Sequence, residues 1–125
     1  MKTTKAQFNQ FVTECKKWIA LFGLQDRFIR YEHNDDFPRN LAMCTSWTDS
    51  RDATITLTVD IGNSVPEDFG GLGVVAFEEV MHLVFSDMKS LIPQRDKDIC
   101  VSYEHAVIAR LSNAIYPHRK VICGK

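Results

Sequence analysis

The stretch Leu72-Gly-Val-Val-Ala-Phe-Glu-Glu-Val-Met-His-Leu-Val-Phe85 is the most informative part of this 125-residue chain. Its apolar residues would lie all the way round a helix, which predicts a central, buried helix from near residue 72 to about residue 90. The middle of that helix nevertheless carries Glu78, Glu79 and His82. A buried charge is costly unless it has a partner or changes its protonation state, so these groups need a counterpart, and a bound cation would be one.

The helical spacing defines which of these groups could share an ion. At ~100° per residue, Glu78 and His82 lie ~40° apart on one face. Glu79 lies ~100° from Glu78, and the side of the helix between these two glutamates could face a metal-bound water. A last helix, predicted from about residue 99 to 115, carries Glu104 in the middle of its apolar stripe. We therefore expect Glu104 to be a third ligand, with His105 as the alternate ligand or as a partner of one.

A second interpretation of the same residues needs no ion. Glu78, Glu79, His82 and Glu104 could form a buried network of ion pairs and hydrogen bonds around the histidine, and Arg30 or Arg110 could complete it. The residues alone leave the metal site and the network equally open.

The rest of the chain predicts a single domain over residues 1–125 with α+β architecture. The predicted elements are a helix over 4–22 ending at Gly23, strands over 28–33, 41–47 and 53–60, and then the two helices. In the third strand, Ala53, Ile55, Leu57 and Val59 are expected to be buried, and Thr54, Thr56, Thr58 and Asp60 to face water. Ser64 to Glu67 is expected to open the long helix as a capping box.

Composition excludes several classes of protein. The net charge of −1 gives no basic excess with which to hold nucleic acid by bulk charge. No segment reaches the ~18 apolar residues of a membrane span. The four cysteines form no Cys-x-x-Cys pair, which argues against a zinc ribbon and favours free thiols in a reducing compartment. These features predict a cytoplasmic protein, in the host cytoplasm if it is phage-encoded, with no membrane partner and no strong signal for nucleic-acid binding.

Several segments resemble the small zincin-like metallopeptidase-type proteins of phages and prophages. They are Phe22-Gly-Leu24, Ala53-Thr-Ile-Thr-Leu57, Ala76-Phe-Glu-Glu-Val-Met-His-Leu83 and Glu104-His-Ala-Val-Ile-Ala-Arg-Leu111. The resemblance implies a minimal zincin-like fold: an N-terminal helix, a small sheet of three or slightly more strands, an active-site helix and a helix bringing a ligand. It also implies Glu79 as the general base, His82 as a zinc ligand and Glu104 as the glutamate ligand.

The chain departs from that family at one position, because Glu78 stands where the His-Glu-x-x-His motif has its first histidine. A site of Glu78, His82 and Glu104 would place two carboxylates on the ion, which lowers its Lewis acidity and admits manganese or iron beside zinc, or leaves the site metal-free. Two functions follow as expectations. One is a metal-dependent hydrolase acting on a peptide or protein. The alternative is a catalytically inactive zincin-like protein that binds a host or phage protein, near Trp47 or the 34–40 loop.

Overall fold

A computed structural model describes residues 1–47 and 49–123 and confirms the α+β class. The main elements follow in chain order: α1 Lys5–Leu21, β1 Phe28–Asn34, β2 Ala42–Trp47, β3 Asp52–Thr58, α2 Leu72–Lys89, α3 Lys97–Ile115 and the short α4 Arg119–Cys123. Single 3-10 turns precede α2, α3 and α4. The predicted elements are all present, and the strand boundaries differ from the expected ones by two residues or fewer.

The three strands form one mixed sheet in the order β1-β3-β2. β3 is central, pairs parallel with β1 and pairs antiparallel with β2, which precedes it directly in the chain. In this register Tyr31, Ile55 and Cys44 lie side by side across the sheet. β2 is therefore an edge strand, with a strand neighbour on one side only among the described residues.

The expectation that one side of β3 faces water is wrong at Thr56 and Thr58, whereas Asp60 is exposed as expected. Thr56 and Thr58 are each only 1% exposed, as fully buried as Ile55 and Leu57 on the opposite face. These residues are buried because β3 is the central strand, with β1 and β2 on either side of it, and because the loop before β2 lies over the end of β3. The hydroxyl of Thr58 donates to the carbonyl of Asn40 in that loop. Alternation of polar and apolar residues thus indicated the strand correctly but not its surroundings.

α1 begins and ends within one residue of the predicted bounds, and Gly23 follows it as expected. The Thr4 hydroxyl accepts a hydrogen bond from the Gln7 backbone at 3.1 Å, and the Gln7 side chain accepts one from the Thr4 backbone at 2.8 Å. This reciprocal pair satisfies two amide groups that the helix leaves free. At the other end Gly23 adopts a φ of 69°, the left-handed conformation that glycine tolerates best.

The entry to α2 differs from the expected capping box at Ser64. The Asp68 carboxylate instead accepts a hydrogen bond from the Val65 backbone, which closes a 3-10 turn over Pro66–Phe69. Gly70 and Gly71 then reverse the chain with positive φ angles, and α2 starts at Leu72 without a side-chain cap. The start of the regular helix at residue 72 is as predicted.

α2 is the central helix, packed against α1 on one side, α3 on another and β2 on the sheet. Trp18 of α1 meets the ring of Phe77 of α2 edge-on at a centroid distance of 4.8 Å, and both side chains are fully buried. None of the helices in the described part combines the length and apolarity that crossing a membrane would require. This packing presents the polar groups of α2 between β2 and α3.

Candidate functional site

A cleft of about 310 Å³ opens between β2, α2 and α3. Its walls are the 40–46 segment, the polar side of α2 and the middle of α3. Four of the five candidate site residues line it: Glu79, His82, Glu104 and His105. The fifth, Glu78, is partly buried but is not part of the lining. The topology therefore gathers most of the predicted residues in one place.

Glu104 is the centre of the polar cluster in this cleft. Its carboxylate is buried, with a side-chain exposure of 4%, and both oxygens have partners. Oε1 lies 2.9 Å from Nδ1 of His82, and Oε2 lies 3.2 Å from the Lys89 ammonium. Because the buried carboxylate is held by a cation and an imidazole from α2, the cluster fastens α3 to α2 without any added ligand.

Lys89 is the residue that sequence reasoning missed. The network interpretation expected Arg30 or Arg110 as the basic partner, but neither forms an ion pair with the cluster in the described structure, and Lys89 supplies the charge. A signal was present in the sequence. Lys89 follows His82 by seven residues, which is two helical turns and returns to the same face of α2.

The surroundings of His82 favour its neutral form. Burial is the largest cause and lowers the pKa of His82, while the hydrogen bond and the charge of Glu104 raise it. His105 stands edge-on to His82 at a ring-centroid distance of 5.1 Å and lies on the exposed side of α3. The alternate ligand named from the sequence is thus a direct neighbour of the principal one.

Glu79 carries the most perturbed carboxyl group of the cleft. Burial, reinforced by the negative charge of Glu78, raises the pKa of Glu79 from 4.5 to about 8, and a hydrogen bond from the Cys44 backbone acts in the opposite direction. Burial also raises the pKa of Glu78, whereas the charge of His105 lowers it. A carboxyl group with a pKa near neutrality can accept or donate a proton at physiological pH, which is the property of a general acid or base.

The donor set as placed does not fit a metal ion. Among residues 1–47 and 49–123, no three His, Cys, Asp or Glu side chains converge in a way that could hold one. Both oxygens of Glu104 are already bound, one of them by the positive charge of Lys89, which occupies the place a cation would take. The metal site of Glu78, His82 and Glu104, with zinc, manganese or iron, accordingly stays a prediction.

The edge of β2 supplies backbone hydrogen-bonding groups to the same cleft. Thr58 donates its backbone N–H to the carbonyl of Leu41, its partner in the antiparallel register. Alternate residues of such a pair face the partner strand, so the odd-numbered residues of β2 bond to β3. The backbone groups of Ala42, Cys44 and Ser46 point the other way, and all three residues line the cleft.

Three comparisons, with protein families, with curated proteins and with solved structures, found no match to this chain.

Proposed function

We propose that this chain is a zincin-like protein that has lost metal-dependent hydrolysis and binds an extended segment of a host or phage protein in the cleft along β2. The observation that carries the proposal is the occupied Glu104 carboxylate. Its two oxygens are held by His82 at 2.9 Å and Lys89 at 3.2 Å, so the glutamate that the resemblance casts as a metal ligand serves as a link between helices.

The position of the cleft supports a polypeptide as the ligand. A peptide that lies along an exposed strand edge gains main-chain hydrogen bonds, while adjacent pockets select its side chains. β2 has six residues and so offers an edge of about 20 Å at ~3.3 Å per residue. The outward backbone groups of Ala42 and Ser46 are spaced to pair with such a segment, whereas the outward N–H of Cys44 is already bonded to Glu79.

The substitution at position 78 supports loss of catalysis. Glu78 replaces the first histidine of the motif and lies outside the lining of the cleft, so it presents no ligand beside His82 there. Trp47, at the end of β2, is 51% exposed and offers an aromatic surface at that end of the strand. Aromatic side chains are frequent anchors of protein–protein interfaces, which fits a binding role.

The test is selection of peptides from a displayed random library on the purified protein, followed by affinity measurements on Ser46→Pro and Ser46→Ala. Proline removes the outward N–H of Ser46 but no bond to β3, and alanine removes only the hydroxyl. We expect peptide affinity to fall about tenfold in Ser46→Pro and by a few-fold at most in Ser46→Ala, the cost of one backbone hydrogen bond. Peptides that bind both variants as tightly as the original protein would show that the edge of β2 is not the binding site.

A second function, a metal-dependent hydrolase, is favoured by the pKa of about 8 at Glu79. In that case Glu79 is the base, the ligands come from Glu78, His82 and Glu104 with His105 as the alternate, and Lys89 must leave Glu104. Elemental mass spectrometry of the untagged protein beside His82→Ala distinguishes the two functions. Stoichiometric zinc, manganese or iron that is lost in the variant, together with peptide hydrolysis abolished in Glu79→Gln, would replace the first proposal with the second.

A further inference from the structure

A second cavity of about 410 Å³ continues the cleft toward the C-terminal end of β2. The two cavities share Cys44, Ser46, Lys89 and Val101 in their linings. A segment lying along β2 would therefore pass from one into the other. The second cavity lies between β2, the last turn of α2 and the first turns of α3.

The lining of this cavity is rich in donors and has no acid. It holds two lysines and four hydroxyl side chains, which are Lys89, Lys97, Thr45, Ser46, Ser86 and Ser90, and no Asp or Glu is among its described lining residues. Lys97 is partly buried and forms no ion pair within the described structure. Since Lys89 is shared with Glu104, Lys97 is the cation available to a ligand.

Few of the hydrogen-bond donors in this lining are free to bind a ligand. The hydroxyls of Ser86 and Ser90 already donate to carbonyls of α2, at 2.8 Å and 2.7 Å. The hydroxyl of Ser46 has no hydrogen-bond partner in the described part of the chain, and its backbone N–H points outward from the sheet. The cavity also faces the first turns of α3, where the helix dipole is positive. Lys97 and Ser46 together thus offer an ammonium, a hydroxyl and an amide to an incoming anion.

A buried cation stands behind this wall. Arg27 is 1% exposed at its side chain and donates from Nη2 to the Ser86 hydroxyl at 2.9 Å and to Asp87 at 2.6 Å. Its Nε and Nη1 atoms are buried without a hydrogen-bond partner in the described structure. Asp87 lies toward solvent and compensates part of this charge, and the guanidinium lies directly behind the Ser86 hydroxyl that lines the cavity.

We infer that this cavity, the anion pocket, receives a carboxylate or phosphate group carried by the polypeptide bound along β2. The polypeptide part of the inference rests on the proposed function, whereas the anion part rests on the pocket alone. An acidic side chain, a free C-terminus and a phosphorylated residue share the chemistry that Lys97 and Ser46 would recognise. The test therefore separates carboxylate from phosphate and anion binding from peptide binding.

The experiment records amide NMR spectra of the protein during separate titrations with sodium acetate and inorganic phosphate at constant ionic strength. Lys97→Met removes the charge, Lys97→Arg keeps it, and Lys120→Met removes an exposed lysine of α4 at the other end of α3. We expect saturable shifts at residues 45–46 and 97–101, retained in Lys97→Arg and Lys120→Met and weakened about tenfold in Lys97→Met. The anion with the larger response identifies the preferred group.

Shifts that are spread over the surface lysines, or that are the same in Lys97→Met and Lys120→Met, would overturn the anion pocket. The peptides selected in the test of the proposed function show whether that function holds independently of the anion pocket. Peptide binding at the β2 edge, with no saturable acetate or phosphate shift at residues 97–101, would leave the proposed function in place and refute the anion pocket. A phosphate or acetate response at Lys97 without any peptide binding would support the anion pocket and refute the proposed function.

Discussion

Breaking the contact between Lys89 and Glu104 tests whether the polar cluster holds itself together without a metal. The two charged atoms are 3.2 Å apart, which corresponds to an attraction of about 5 kcal/mol at an effective dielectric constant of ~20. Lys89 is 36% exposed, so solvent screening and the desolvation of Glu104 reduce the net coupling to about 1–2 kcal/mol. For a domain of this length, that amounts to a fall of about 3–8 °C in Tm.

The assay is a double-mutant cycle of the original protein, Lys89→Met, Glu104→Gln and the double variant, with the free energy of unfolding measured in urea. The same Lys89→Met sample should show a raised pKa of His82 by NMR titration, because the ammonium of Lys89 lowers that pKa. A coupling below about 0.3 kcal/mol, within the error of additivity, would mean that Lys89 does not hold the carboxylate. Glu104 would then be free for a metal ion, and the hydrolase becomes the better proposal.

Three other substitutions have defined outcomes. In Gly73→Ala, the added methyl group would meet the Tyr116 hydroxyl, and we expect a loss of about 1–3 kcal/mol in urea unfolding, partly restored by Tyr116→Phe. Glu79→Gln should flatten the pH dependence of the free energy of unfolding. Because the pKa of Glu79 is about 8 in the folded protein and 4.5 as its ordinary value, the original protein loses stability as the pH rises from 4.5 to 8. The variant has no such loss and should be the more stable of the two at pH ~8. A variant that follows the slope of the original protein would contradict the raised pKa. Thr4→Ala should cost about 1 kcal/mol by removing the hydroxyl that accepts from the Gln7 backbone N–H, and unchanged stability would show that the cap is dispensable.

The fold was largely predictable because its signals are local. The three- and four-residue spacing of apolar side chains in α1, and the apolar run of α2, depend on the helix alone. The burial of Thr56 and Thr58 was not predictable in the same way. It follows from the central position of β3, and strand order is set by pairing between distant segments.

The site was predictable as a set of residues but not as a set of contacts. Glu104 was expected to point inward from the stripe of α3, and it is buried beside His82 as expected. Its second partner, Lys89, has a hydrophilic side chain near a helix end, which usually indicates a solvated surface. Whether an inward carboxylate meets a lysine or a metal depends on how α2 and α3 cross, and the sequence does not specify that crossing.

The arrangement of the sheet also has a consequence for how the chain folds. β2 and β3 are adjacent in the chain and form a local hairpin. β1 pairs with the other side of β3, and its partners are far away in the sequence, as Phe28 and Asp52 are. Local contacts close faster than distant ones, so the hairpin is expected to exist before β1 docks. During that interval the second edge of β3 is open to a strand from another molecule. Refolding at high protein concentration should therefore be limited by association at this edge, and the rate at which β1 docks determines how long the chain is exposed to it.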